Sequence, residues 1–314
     1  MAPKGAYYGA YTLLFYMHPS ATQNPLSAYA KNVTSSHGED GIIEHIFNSI
    51  GTKNTWCLEL GALNGTHDSN VWNLIATQEW HALLIEADVT YFQKLAELYA
   101  RTQRVHCVNE FISFEGEHAL DVVCKRVGMP VDFDLLVLDI DGNDYHVWDS
   151  MRVYTPRVVV IEYNPSIPND IEFVQPRDMH VQQGSSLLSL TLLAERKGYV
   201  LVATTPSNAF FVQKELAPSL NISDNSLAVM HPDTEFYTRV FQLYDGTLVL
   251  HGCTRLLWHG KEIDQEAIQV LPKHARTYPA RTNPNEKVRV FKNIVRRLPL
   301  YTFLQQLRKR LRSF

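Results

Sequence analysis

Five short apolar runs in this chain end in groups that can bind a ligand or move a proton. Leu135-Leu136-Val137-Leu138 leads into Asp139-Ile140-Asp141-Gly142-Asn143-Asp144, and Val158-Val159-Val160-Ile161 into Glu162-Tyr163-Asn164. Upstream, Trp56-Cys57-Leu58 leads into Glu59-Leu60-Gly61-Ala62-Leu63-Asn64-Gly65. Two further runs end in Glu86-Ala87 and Asn109-Glu110. Asp139, Asp141, Glu162 and Asn164 offer only oxygen, which suits a hard cation such as Mg2+. Such an ion would lower the pKa of a bound hydroxyl and orient it. Without a cation, neighbouring carboxylates raise one another's pKa. The alternative has Asp139 touching a cofactor, Asp144 capping the next helix and Glu162 pairing with Lys or Arg. The general base is expected from His146, His180 or a carboxylate of this group, with His180 preferred over His146.

The spacing Glu59-x-Gly61-x-x-x-Gly65 describes a buried strand that stops at an acid and turns tightly through Gly61. Gly65 then lets a helix begin close to a bound group. The same spacing also fits an ordinary strand-to-helix turn. Glu86, closing the following strand, suits hydrogen bonds to both hydroxyls of a ribose. The turn lacks G-x-G-x-x-G and with it the pyrophosphate cradle of a dinucleotide site. A ribose without phosphates points to S-adenosylmethionine. The expected cofactor contacts are Glu59, Gly61, Ala62, Gly65, Glu86, Ala87 and Asp139, with Asn109 and Glu110 near the adenine.

The elements that must position these groups follow from periodicity. Ile42, Ile43, Ile46, Phe47 and Ile50 share one helical face, with Glu39 and Asp40 ahead of them either capping the helix or touching ligand. Strands at 56–60, 81–87, 105–110, 133–142 and 158–164 alternate with helices at 68–79, 90–101, 117–127 and 144–151. Continuous apolar strands alternating with helices predict a doubly wound, Rossmann-like α/β fold with a parallel sheet, whose ligands sit at the carboxyl ends of the strands. After a polar lid at 167–183 and a helix at 185–197, strands at 199–203 and 208–212 are too close for a crossover helix. That last pair is therefore antiparallel. A hairpin is expected from 239–244 and 247–251 around Asp245-Gly246. The organisation expected is an N-terminal arm at 1–35 and a main domain at 36–213. An extension with hairpin and linker follows at 214–288, then a basic amphipathic helix at 289–314 built on Leu300, Phe303, Leu304, Leu307 and Leu311.

Charge narrows the partners. The net charge of −4 conceals nine Lys or Arg after Glu286, which leaves 20 basic against 33 acidic residues before them, or −13. An acidic body is not expected to bind nucleic acid. The basic tail is expected to pack on that body or on a second copy of the chain, or else to lie on a membrane surface. Four cysteines without a C-x-x-C pair fit a reducing, cytoplasmic setting, and no apolar run is long enough to span a bilayer.

Glu59-Leu-Gly61-Ala-Leu-Asn-Gly65, Glu86, the run Asp134 to Asp139 and the closing antiparallel pair together resemble a class I S-adenosylmethionine-dependent methyltransferase. Leu138-Asp139-Ile140-Asp141-Gly142-Asn143-Asp144-Tyr145, Lys197-Gly198-Tyr199 and Asn208-Ala209-Phe210-Phe211-Val212 are similar to the FkbM-type branch. The resemblance spans about residues 35–213. It implies a seven-stranded fold, the cofactor across the first strand ends, and methyl transfer usually to oxygen. The chain departs from the FkbM pattern at Asp141 and in its C-terminal extension. Asp139-Ile-Asp141-Gly-Asn-Asp144-Tyr145 is also similar to the D-A-D-x-x-x-Y segment of catechol-type O-methyltransferases, where carboxylates and a later acid-Asn pair hold Mg2+. The expected activity is methylation of a small-molecule hydroxyl. An NAD-dependent oxidoreductase and a non-catalytic S-adenosylmethionine-binding module are the alternatives.

Overall fold

Strands form where the chain is apolar on both faces, and the sheet they build has helices on both sides. The computed structural model describes residues 24–232 and 235–278. Its order is α1 (Glu39–Ile50), β1 (Trp56–Leu60), α2 (Trp72–Gln78), β2 (His81–Glu86), α3 (Val89–Tyr99), β3 (Val105–Asn109), α4 (Leu120–Val127), β4 (Leu135–Leu138), α5 (Asp144–Ser150) and β5 (Val158–Glu162). Then come α6 (Leu187–Lys197), β6 (Tyr199–Thr204), β7 (Asn208–Gln213), a short α7 (Leu227–Met230), β8 (Thr238–Gln242), β9 (Leu248–Gly252) and the two-residue strands β10 (Arg255–Leu256) and β11 (Lys261–Glu262).

The main sheet has seven strands in the order β3-β2-β1-β4-β5-β7-β6. β1 to β5 are parallel, and β7 enters antiparallel between β5 and β6. This is the seven-stranded α/β sheet with an antiparallel last strand that the sequence led us to expect. Alternation divides its core. Leu58, Leu60, Leu83, Ile85, Leu136, Leu138, Val159 and Ile161 pack with α4, α5 and α6. Cys57, Ala82, Leu84, Leu135, Val137, Val158, Val160 and Phe210 pack with α1, α2 and α3.

Two expectations shift. The helix expected from Asp68 begins only at Trp72, and Asp68 itself has φ +54°. The arm expected through residue 35 is, from Asn24 onward, part of the body. Leu26 is buried and the Asn24 amide donates to the Thr204 carbonyl at 2.9 Å.

Residues 214–232 also belong to the sheet domain: Met230 is fully buried and its carbonyl accepts from Thr204 Oγ1. The chain divides into two compact units between 234 and 235, rather than at the expected 213. In the second unit β8 and β9 form the expected hairpin, in antiparallel register from Thr238↔Gly252 to Gln242↔Leu248. The basic amphipathic segment at 289–314 lies outside the described residues, as does most of the arm. Among the described residues no helix is long and apolar enough to cross a membrane.

Candidate functional site

Strand alternation carries the chemistry to one edge and one face. Glu59, Glu86, Asn109, Asp139, Glu162 and Asn208 each stand two positions from a residue that packs with α1 to α3, so all six fall on that face of the sheet. The register then sets their depth. Leu60 pairs with both Ile85 and Leu138, so the position after each of the three, Gly61, Glu86 and Asp139, stands at one level. Glu86 pairs with Asn109. Leu138 pairs with Ile161, putting Glu162 level with Asp139, and Glu162 pairs directly with Asn208. The row across six neighbouring strands is Asn109, Glu86, Gly61, Asp139, Glu162, Asn208, at about 4.8 Å per step. Its one position without a side chain is Gly61, on β1. β1 lies between β2 and β4, where the order of strands reverses, and open α/β sheets bind ligands at that point.

The glycine turn is held from inside. Gly61 has φ +87°, and a Cβ there would come within 2.0 Å of the Asp139 carbonyl oxygen. A Cβ on Gly65, at φ +83°, would meet the Leu95 side chain at 2.7 Å. Glu59, one strand position deeper on the same face, is buried. Its carboxylate accepts from Ser69 Oγ and from the Asn70 N–H, both at 2.7 Å. Burial pushes Glu59 up to about 7 against the pull of those two hydrogen bonds. Glu86 accepts from the N–H groups of Leu63 (2.8 Å) and Asp88 (2.7 Å), so it ties the glycine turn to the start of α3. The Asn109 amide donates to the carbonyls of Glu86 and Ala87. Glu110 is turned to other work: it pairs with His118 and Arg126. Burial raises its pKa, but hydrogen bonds from those two partners outweigh it and leave Glu110 below the usual range.

The turn after β4 is drawn tight by Asp144, which opens α5. Its two oxygens accept from the N–H groups of Ile140 and Gly142, each at 3.0 Å. Asp141 takes φ +58° in this turn. Burial pushes Asp144 up to about 6. Burial also drives Asp139 well above the usual carboxylate range, and the charges of Asp144, Asp141, Glu39 and Glu59 push it the same way. Glu162 is raised by burial and then by Asp139, Asp144 and Asp141, with the Asp141 N–H opposing. Asp141 is exposed as a residue, yet loss of water around its carboxyl raises it too.

The cation expected at Asp139, Asp141, Glu162 and Asn164 does not fit this arrangement. Among the described residues no group of three or more His, Cys, Asp or Glu is placed to hold a metal ion. Both ends of the Asn164 amide are also used within the chain: Oδ1 accepts from Ser166 N–H and Oγ, and Nδ2 donates to the Gln183 carbonyl. Nor does Asp144 cap α5 as the alternative had it: it is the first residue of that helix, and its carboxylate accepts from Ile140 and Gly142 in the preceding turn. The pairing of Glu162 with Lys or Arg does not occur among the described residues.

The expected lid is a strap pinned to this turn. Asn143 Nδ2 donates to the carbonyls of Asp178 and Val181. The buried Gln175 accepts from the N–H groups of Gln183 and Gly184 and donates to the Val181 carbonyl. His146, buried on α5, meets the Gln175 carbonyl through Nε2 at 2.8 Å, a structural role. His180 is exposed on the strap, and the hydrogen bond recorded for it is made by its backbone N–H to Asp178. Among the described residues no hydrogen bond or ion pair joins it to the carboxylates.

One participant escaped the sequence reading and a second was left undecided by it. Asn208 opens β7 beside Glu162, and its only signal was a polar residue at the head of an apolar strand. Glu39, the first residue of α1, reaches the same edge: Oε1 accepts from Thr205 Oγ1 and Oε2 from the His37 N–H, both at 2.7 Å. The sequence had left it between capping and ligand contact.

No family model matches the chain, and no curated protein matches it significantly. Among solved structures it is similar to the N-terminal domain of EvdMO1 with SAH bound, at 13% identity and TM-score 0.38, over 57% of this chain and 80% of that one. It is similar also to a Staphylococcus aureus protein provisionally named a caffeoyl-CoA O-methyltransferase (15%, TM-score 0.40, 59% and 86%). A third is a Klebsiella pneumoniae protein provisionally named an O-methyltransferase (17%, TM-score 0.37, 60% and 90%). At TM-scores below 0.5 these likenesses lend no weight to an assignment of activity.

Proposed function

We propose that this chain transfers a methyl group from S-adenosylmethionine to a hydroxyl of a small molecule. The observation that carries the reading is the level row of polar groups broken at its centre by Gly61, at the point where the strand order reverses. Asn109 and Glu86 at one end suit an adenosine, with the Glu86 carboxylate facing the ribose hydroxyls. Gly61 lets the ends of β1 and β4 close together against the Asp139 carbonyl, the reacting centre lies over that close approach, and Glu162 with Asn208 flanks the acceptor.

Two features favour this cofactor over NAD. A dinucleotide fold places a helix N-terminus directly after the glycine turn to receive pyrophosphate. Here α2 starts only at Trp72, well past Gly65, and its first N–H is already taken by the Ser69 hydroxyl. Charge points the same way: carboxylates at Asp139, Asp141, Asp144 and Glu162 repel a pyrophosphate and attract a sulfonium. When bound, the cofactor supplies an electrophilic methyl carbon whose bond to sulfur breaks as the bond to the acceptor oxygen forms.

The residues of the chain do the rest. Asp139 accepts the proton that the hydroxyl gives up, a transfer suited to a carboxyl whose proton affinity is raised by burial and by the neighbouring acids. The strap from Gln175 to Gly184 excludes water from that side and aligns the acceptor. No step is assigned to a cation, because the side chains expected to hold one are not arranged for it.

Calorimetry on the full chain with S-adenosylmethionine, S-adenosylhomocysteine and NAD tests the reading. Binding of the first two without the third is expected. NAD binding alone overturns the proposal.

A further inference from the structure

The acceptor end of the row is lined by groups that accept hydrogen bonds and by few that donate them. Asp139, Glu162 and Asn208 stand side by side on β4, β5 and β7. Asp141 and Asp144 lie in the adjoining turn. Glu39 reaches over from α1 through its bond to Thr205, whose hydroxyl in turn receives the Asn208 N–H. Among the described residues, Asp139, Asp141, Asp144 and Glu162 form no ion pair with Lys, Arg or His. Elsewhere the chain compensates its carboxylates: Asp134 with Arg157, and Glu110 with Arg126 and His118.

An independent feature marks the same place. Asn208 is 4% exposed, and its Oδ1 is buried with no hydrogen-bond partner. Cross-strand pairing puts its side chain on the face and at the level of Glu162. An unmet acceptor beside uncompensated carboxylates lacks a donor that carries positive charge. S-adenosylmethionine brings one net positive charge, which belongs at the sulfonium near Gly61 and leaves the Glu162 end unmatched.

We propose that the methyl acceptor is an amine-bearing alcohol, an amino sugar or amino alcohol whose ammonium group is held by Glu162, Glu39 and the Asn208 carbonyl oxygen while its hydroxyl faces the methyl group. The proposal rests on the methyltransferase reading for the role of the hydroxyl. The ammonium site itself rests on the side chains just described. A neutral polyol would satisfy Asn208 but leave the carboxylates without a countercharge, and an acidic acceptor would be repelled.

The test compares matched pairs on the full-length protein saturated with S-adenosylhomocysteine: glucosamine against glucose, and 2-aminoethanol against ethylene glycol. Affinity is read by saturation-transfer NMR titration. Each amine is expected to bind at least tenfold tighter than its neutral partner, with the preference shrinking towards unity in Glu162→Gln. If that variant does not fold, Glu39→Gln is read in its place and should cut the preference several-fold. Equal affinities within the pairs, a preference for the neutral member, or no amine binding overturns the proposal. Failure of S-adenosylhomocysteine to bind is a separate outcome: it sinks the methyltransferase reading, and the same pairs titrated on the free protein still decide the ammonium site.

Discussion

The Asp139 carbonyl oxygen occupies the space beside Gly61 so closely that a Cβ on Gly61 would lie 2.0 Å from it. Two strand ends thus meet backbone to backbone at the centre of the proposed site, and neither can retreat without moving β1 or β4. Gly61→Ala is expected to lower S-adenosylhomocysteine affinity by more than tenfold and to destabilise the fold by several kcal/mol, on the order of the larger single-site effects. Gly128, also at positive φ but with nothing within 4 Å of an added Cβ, is the control. Gly128→Ala should cost only about 1 kcal/mol of left-handed strain. Calorimetry and thermal melts on both variants check the contrast.

Glu86→Ala removes the acceptor for the N–H groups of Leu63 and Asp88 along with the proposed ribose contact. S-adenosylhomocysteine affinity should fall by an order of magnitude or more. Stability should drop by roughly 1–3 kcal/mol for the stranded backbone donors. Unchanged affinity would remove Glu86 from the cofactor site.

Glu59 makes stability depend on pH in a defined direction. Its folded pKa, about 7, lies above its ordinary value of 4.5. Between those values the folded state holds a proton that the unfolded state has lost. The stabilising contribution is therefore complete below about pH 4.5 and lost as pH rises through 7, for a total of about 3 kcal/mol. Glu59→Gln keeps the shape and can still accept from Asn70. Urea titrations from pH 5 to 8 should show a flatter pH dependence in the variant than in the wild type. Parallel curves would contradict this.

The strap is testable apart from the cofactor. Gln175→Ala deletes the acceptor for Gln183 and Gly184 and the donor to Val181. Limited proteolysis should then cut between 176 and 182 faster, and in a methyl-transfer assay the acceptor KM should rise. S-adenosylhomocysteine affinity should stay within about twofold, because the Gln175 side chain bonds only to Val181, Gln183 and Gly184 of the strap.

The sheet was legible because its strands are apolar on both faces, and runs such as Val158 to Ile161 permit little else. The acids ending those runs could be read as one edge. Which partners they take could not. Asp68, Ser69 and Asn70 are good helix-capping types, so the sequence starts a helix there. Glu59, ten residues earlier, captures the Ser69 hydroxyl and the Asn70 N–H and holds the segment as a loop until Trp72. Glu110 looked like a cofactor residue until Arg126, a full helix away in sequence, took it. His180 lies on the segment expected as a lid, but nothing in its neighbours' types revealed that this strap is tied down by Gln175 and Asn143. Asn208 was hidden, and Glu39 left between two roles, for a related reason: they join the site only through pairing and packing across more than forty residues.

The bond from Asn24 to the Thr204 carbonyl spans 180 positions. During synthesis the segment around Leu26 therefore leaves the ribosome long before its seat exists, since β6 must be made first. β7 must then insert between β5 and β6. Until those last strands arrive, Asn24 and Leu26 have no final partner there, and the edge carrying Glu162 is unfinished. A nascent chain halted before residue 204 would expose both, a natural target for chaperones that recognise apolar segments. The site would thus be among the later parts of the sheet domain to come into being, completed by strands that contribute one side chain to its row.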